Sequence, residues 1–419
     1  MATLMATPTK GDGMTGRGKG EGAIYKDARG LWTASVELPS YDGRRRRKVI
    51  RSKDKRVVVT KLAEFRKELQ NRGDLPTASM TVEAWLTYWF ENIAIKRVRP
   101  NTAAGYRSVI WSHIIPAIGR VRLEYLQPSD VRRVHERILS TPKDARNPDK
   151  GFLSSTYALN AHRVLAKALY DAEREGKIGR NPARLTDAPR KAVPSLNALT
   201  VSEAIQVIGR VVPAFDAEVY DPEPARWATY LLTGARRGEV LGIEVERIGE
   251  VLDLSWQLQR ITDISSAPSD YEYRELVNGI YWTRPKSRAG WRIIPLVDPL
   301  RTILETHLSH TNPNPYGLLF AGVDGLPIDP DTESKRWPRA LASMNVTDKH
   351  VRLHDLRHTT IDLLYEAGVP EDVIMEIAGQ STRSVTRGYK SRGNQKRLTE
   401  AMLQLSALIQ ADLPRAPMS

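Results

Sequence analysis

Apolar positions in this chain recur with period two near its start and with period three to four through most of the remainder, which divides it into parts. Ile24-Tyr25-Lys26, a turn at Asp27 to Gly30, and the alternation of Trp32, Ala34, Val36 and Leu38 predict a hairpin. Tyr41-Asp42-Gly43 is a second turn, and Arg44 to Arg51 a third strand. There the pleat sends Arg44 and Arg46 to one face and Arg45 and Arg47 to the other. Asp54 to Leu69 carries Val58, Leu62 and Phe65 at helical spacing. Behind a Thr81 cap, Val82, Trp85, Leu86, Trp89 and Phe90 share one helical face, and this aromatic stripe reads as core, not as a stacking platform. Helices are also expected after Pro100-Asn101-Thr102, from Pro128-Ser129-Asp130, and from about Ser155 to Glu175, closed by Gly176 to Pro182.

Arg184 to Leu199, with Pro189 and Pro194, is a natural linker, and Thr200 with Glu203 forms a capping box opening the next unit. Trp227, Tyr230, Leu231 and Leu232 read as a buried helix leading to Thr233-Gly234-Ala235-Arg236-Arg237-Gly238-Glu239, which sets an arginine at a turn with a carboxylate three residues on. Tyr281 to Leu296 reads as a β-hairpin with Lys286 at its polar, Gly-containing turn. His354 and Arg357 stand three apart at the start of a run with Leu356, Ile361, Leu363 and Leu364, so a helix puts imidazole and guanidinium on one face. Gly368-Val369-Pro370 stops that helix and starts another, which Gly379 ends. Gln380, a polar connection and Gly388-Tyr389 follow. The helical spacing of Leu398, Met402, Leu405 and Ile409 makes the last segment intramolecular core or, alternatively, an arm docked on a neighbouring subunit.

The net charge of +14 favours a polyanionic partner but is equally that of a ribosomal or membrane-surface protein. The first 60 residues hold 14 basic against 6 acidic side chains. Absence of cysteine excludes disulfides, thiolate metal sites and a cysteine nucleophile. No apolar stretch is long enough to span a bilayer, and Met1 opens no signal peptide. A soluble protein of the bacterial cytoplasm or nucleoid, with no membrane partner, is expected. There is no acidic metal cluster and no Walker-type loop, so no cofactor and no metal are expected.

His-x-x-Arg alone is a common accident, and a lone tyrosine is usually packing. Together with the upstream pieces, in this order, they resemble the tyrosine recombinase family, in particular the phage-type integrases. The family's Thr-Gly-x-Arg-x-(Gly/Ser)-Glu arginine falls on Arg236, its hairpin lysine on Lys286, its His-x-x-Arg on His354 and Arg357, and its nucleophile on Tyr389. Its Gly-His pair, nine residues before the tyrosine, is Gly379-Gln380 here, so an amide replaces the imidazole: a substituted hydrogen-bond donor or the mark of a slowed site. Glu239 supports the arginine or histidine and does not touch DNA.

The resemblance implies a multidomain α+β protein. Residues 1–21 are a disordered basic lead-in, and 22–73 an arm-type DNA-binding domain of three strands and a helix, with Arg44, Arg45, Arg46, Arg47 and Lys48 on DNA. Residues 77–183 form an all-α core-binding domain, 184–199 the linker, and 200–412 a mixed, mainly α catalytic domain with a β-hairpin. It implies cutting and rejoining of DNA through a 3′-phosphotyrosyl intermediate. The partners are double-stranded core-type and arm-type attachment sites, further copies in a tetramer, a host DNA-bending protein and a directionality factor. A conjugative-element integrase shares every residue named. A type IB topoisomerase shares the chemistry without needing the amino-terminal sheet, and a DNA-binding regulator with a decayed site is the reading for which Gln380 speaks.

Overall fold

The computed structural model describes residues 24–38, 46–72, 80–193, 197–285, 290–379 and 392–412. The chain divides into two compact units. The first takes the described residues up to Trp89 together with Ser108–Lys191, the second Phe90–Arg107 together with those from 192 onward.

The first unit opens with β1 (Ile24–Lys26), β2 (Trp32–Leu38) and β3 (Arg46–Ser52) in an antiparallel sheet of that order, followed by helix α1 (Lys55–Arg72). The register sets Ala34 opposite Ile50 and Val36 opposite Lys48. Ala34 and Val36 bury with Val58, Leu62 and Phe65 of α1 in a small core of their own. Arg47 and Lys48 are both exposed, on opposite faces of β3. Arg44 and Arg45 lie outside the described residues, and of Arg46 only the backbone, at the start of β3, is described.

Helices α2 (Val82–Trp89), α3 (Pro100–Val109), which up to Arg107 belongs to the second unit, α4 (Ile115–Ile118), α5 (Pro128–Leu139) and α6 (Ser155–Arg174) follow. The tryptophan stripe is core: Trp85 and Trp89 have no exposed surface, and their indole N–H groups donate to Ala168 O at 3.0 Å and Asp171 Oδ2 at 2.8 Å, tying α2 to α6. Across α5 and α6, buried His135 and His162 meet ring to ring, Nε2 to Nδ1, at 3.1 Å. Burial first, and His162 second, push the His135 pKa down to about 4, and burial lowers that of His162 as well. In the unfolded chain both imidazoles take protons near pH 6.5, whereas folded His135 keeps its neutral form down to about pH 4 and the His162 pKa also lies below its ordinary value, so stability is lost as pH falls from 6.5 toward 4. His135 alone is expected to lose about 2 kcal/mol between pH 7.5 and 5. Urea melts followed by tryptophan fluorescence check this: His135→Gln must flatten the acid slope, and an unchanged slope contradicts it.

The second unit contains α7 (Val201–Ile208), α8 (Val211–Phe215), α9 (Glu223–Thr233) and α10 (Arg237–Leu241). Strands β4 (Val251–Asp253), β5 (Gln257–Arg260), β6 (Tyr273–Val277), β7 (Ile280–Thr283) and β8 (Ile293–Pro295) come next, then α11 (Leu300–His310), α12 (Pro330–Met344), α13 (Asp355–Glu366), α14 (Glu371–Ile377) and α15 (Arg392–Asp412). Thr200 and Glu203 form the capping box that opens α7. Leu398, Met402, Leu405 and Ile409 of α15 bury in the same core as α9 and α13, so this segment's apolar face is used within its own chain.

The hairpin expected from Tyr281 to Leu296 needs correction. Both strands exist, but β7 pairs with β5 and β6 on its two edges, and β8 pairs with β4 in a separate sheet. All four residues of β7 are buried, and with both edges hydrogen-bonded no edge remains for β8. The hairpin partner of β7 is β6, joined by Asn278-Gly279 with φ of 51° and 74°, a left-handed pair that fits the tight turn between twisted strands.

Candidate active site

Helix α9 is buried along almost its whole length and ends at Gly234, whose φ of 57° reverses the chain; a Cβ there would press on Thr360 at 3.3 Å. That reversal delivers Arg236 to the residue before α10, where Glu239 holds it from both ends. The Arg236 backbone N–H donates to Glu239 Oε2 at 2.8 Å and its Nη1 to Oε1 at 2.7 Å. Glu239 is only 1% exposed, and despite burial Arg292 and Arg236 hold its pKa below the usual carboxylate value. It touches arginines, not solvent.

The start of α13 is fixed by Asp355, buried, which accepts from the Arg352 backbone N–H at 2.9 Å and from its guanidinium at 2.8 and 3.0 Å. This puts His354 exposed at the helix entrance and Arg357 buried in the first turn. Partial desolvation of the ring, then Arg357 and His358, lower the His354 pKa below its ordinary value. Arg357 Nη1 donates to Gly234 O at 2.8 Å and Nη2 to Ala378 O. Burial, with Arg292 and Arg236 beside it, pushes its pKa down to about 9.

Arg236 and His354 line one cleft of about 660 Å³, with Arg237, Gln257, Gln259 and Arg260 along it. Arg357 backs the site from inside. Gly379, at φ 60°, ends α14, and its carbonyl accepts from Arg236 Nη2 at 3.1 Å, so the chain leading to Gln380 begins at the arginines. Gln380, Tyr389 and Lys286 lie outside the described residues. Among the described residues no group of three or more His, Asp or Glu could hold a metal ion, and no helix is long and apolar enough to cross a membrane. A cluster of guanidiniums around a single carboxylate is built for an anion.

Two side chains at the site escaped the sequence reading. Asp355 was visible inside His354-Asp355-Leu356-Arg357 as an acidic residue in a first turn. Arg292 is buried against Glu239, 53 positions away in sequence. Its one local signal is the period of two that puts it on the same face as buried Ile294.

Comparison with known proteins agrees with this architecture. The model of the phage integrase family matches residues 228–395, and that of the phage integrase N-terminal SAM-like domain matches residues 81–139. The chain is a tyrosine recombinase of the phage integrase family. An integrase of Saccharopolyspora erythraea is 27% identical over 424 residues, covering 88% of this chain and 92% of the relative. Among solved structures, the Tn1549 transposon integrase in complex with transposon right end DNA superposes with a TM-score of 0.58 at 20% identity, over 77% of this chain and 99% of that one. A lambda integrase tetramer bound to a Holliday junction gives 0.50 at 16% identity, over 88% of this chain and 98% of that one. The fold is thus the mixed α+β fold of integrases: small sheet, helical unit and catalytic unit.

Proposed function

We propose that this recombinase is the integrase of a phage or mobile genome, and that it cuts and rejoins double-stranded DNA through a 3′-phosphotyrosyl intermediate. The observation that carries the reading is the convergence of Arg236 and Arg357 on Gly234, Glu239 and the end of α14, beside the cleft that exposes His354. In this reading the two guanidiniums take the non-bridging oxygens of the scissile phosphate, and His354 adds a donor. Tyr389, made more acidic by these cations, attacks phosphorus as the phenolate. The new phosphotyrosyl O–P bond replaces the P–O5′ bond, and Lys286 hands the leaving 5′ oxygen its proton. The reverse step, with the 5′ hydroxyl of another strand as nucleophile, rejoins DNA without any nucleotide, since one phosphate diester is exchanged for another. Gln380 donates to the phosphate from the position that carries histidine in the family pattern.

The residues singled out in the first unit, Arg44, Arg45, Arg46, Arg47 and Lys48, then bind arm-type DNA, and the helical unit binds the core site. Assembly is a tetramer on DNA in the bacterial cytoplasm, served by a host bending protein and a directionality factor.

The test is incubation of the purified chain, in EDTA, with end-labelled duplexes from the DNA flanking its own coding sequence, resolved on a denaturing gel. A labelled band of protein size is expected, with the adduct mapping to the peptide that contains Tyr389. Duplexes retarded on a native gel without any covalent species would leave a DNA-binding regulator with a decayed site.

A further inference from the structure

Three guanidiniums, not two, meet at the end of α14. Arg292 Nη1 donates to Ile377 O, Arg357 Nη2 to Ala378 O and Arg236 Nη2 to Gly379 O, three successive carbonyls that the helix itself leaves without partners. Arg292 also joins the tethers of the other two. Its Nη2 donates to Glu239 Oε2 at 2.5 Å, while Arg236 holds Oε1, and it approaches Gly234 O at 3.5 Å, the same oxygen that Arg357 grips. Its side chain is 2% exposed against 38% for Arg236, and it does not line the cleft.

Charge gives the arrangement its consequence. Arg236, Arg292 and Arg357 against Glu239 leave a local excess of two positive charges. A phosphodiester carries one negative charge, and the five-coordinate arrangement reached on attack by a phenolate carries two. The cluster therefore matches the reacting phosphate better than the resting one, the difference that accelerates a reaction. Were Arg292 absent, Glu239 would be shared with no second cation, and it would cancel more of the charge that Arg236 presents. The Arg292 Nε is buried with no hydrogen-bond partner among the described residues, a cost that packing alone does not explain.

We infer that Arg292 is a positioning residue of the strand-transfer reaction, which holds Glu239 and the 377–379 turn so that Arg236 and Arg357 stand at the spacing and net charge the reacting phosphate requires. This rests on the proposed function above.

The test uses the full chain and the duplex that yields the covalent adduct, nicked so that the released strand diffuses away and the adduct accumulates in a single turnover. One version carries the natural phosphodiester and a second carries an uncharged methylphosphonate at the scissile position. With Arg292→Met the adduct rate on the phosphodiester is expected to fall about 100-fold while duplex affinity stays within about 3-fold. On the methylphosphonate, which gathers one charge fewer, the loss should shrink below about 5-fold. Arg292→Lys, which keeps the charge but reaches fewer acceptors, should recover about a tenth of the wild-type rate and supplies the comparison if the methionine variant does not fold. Equal losses on the two substrates would reduce Arg292 to a packing role and overturn the inference, as would unchanged rates. Adduct formation by the wild type with an unaffected variant sinks this inference alone; no adduct from the wild type sinks the proposed function and this inference with it.

Discussion

Tyr389→Phe is expected to abolish the covalent protein–DNA adduct, with a loss on the order of 10⁴-fold or more, while duplex binding stays within about 2-fold. Phenylalanine keeps the ring and removes only the oxygen that would bond to phosphorus. Binding rests elsewhere, on a chain of net charge +14 whose cations meet a long run of phosphates, so one lost hydroxyl subtracts little from affinity. The check pairs a denaturing gel, which reports the bond, with a native gel, which reports binding. An adduct of undiminished yield in the variant would move the nucleophile to another residue. A variant that neither binds nor reacts would show instead that the ring is structural.

What the sequence reveals about this molecule is mostly what is local. Gly368 and Gly379, both at positive φ, end α13 and α14 where glycine followed by proline or by polar residues marks a stop. The tryptophans of α2 and the buried face of α6 follow directly from helical period. The pairing of β7 is not legible in its own residues, because an apolar strand shows only that both its faces are covered, not which strands cover its edges. Asn278-Gly279 did carry that information, since it is a strong short-range sign of a hairpin, and it points to β6. Arg236, Glu239, His354 and Arg357 were legible as a motif in order. Arg292 was not, because an arginine beside a turn looks solvated until the fold brings a carboxylate from 53 residues away against it.

Glu239→Gln is expected to destabilise the catalytic unit by about 3–5 kcal/mol at pH 7, the cost of leaving buried cations without their counter-charge. The carboxylate is 1% exposed and accepts from Arg236 and Arg292 side chains and from the Arg236 backbone, so the amide must turn one N–H₂ group toward donors that it cannot satisfy. The sign with pH follows from the lowered folded-state pKa of Glu239. Its stabilisation is fully present above the unfolded value near 4.5 and is lost as pH falls through the folded value, so wild type and variant should converge in acid. Denaturant melts across pH measure this, and a difference that persists undiminished at low pH would assign the loss to shape and not to charge. A second cycle separates the partners. In an Arg292→Met background one of the two cations facing Glu239 is gone, so the same Glu239→Gln change should cost less than it does alone. Additive losses would mean that the carboxylate answers to Arg236 only, and that the third guanidinium is a bystander to the balance of charge on which strand transfer is argued to depend.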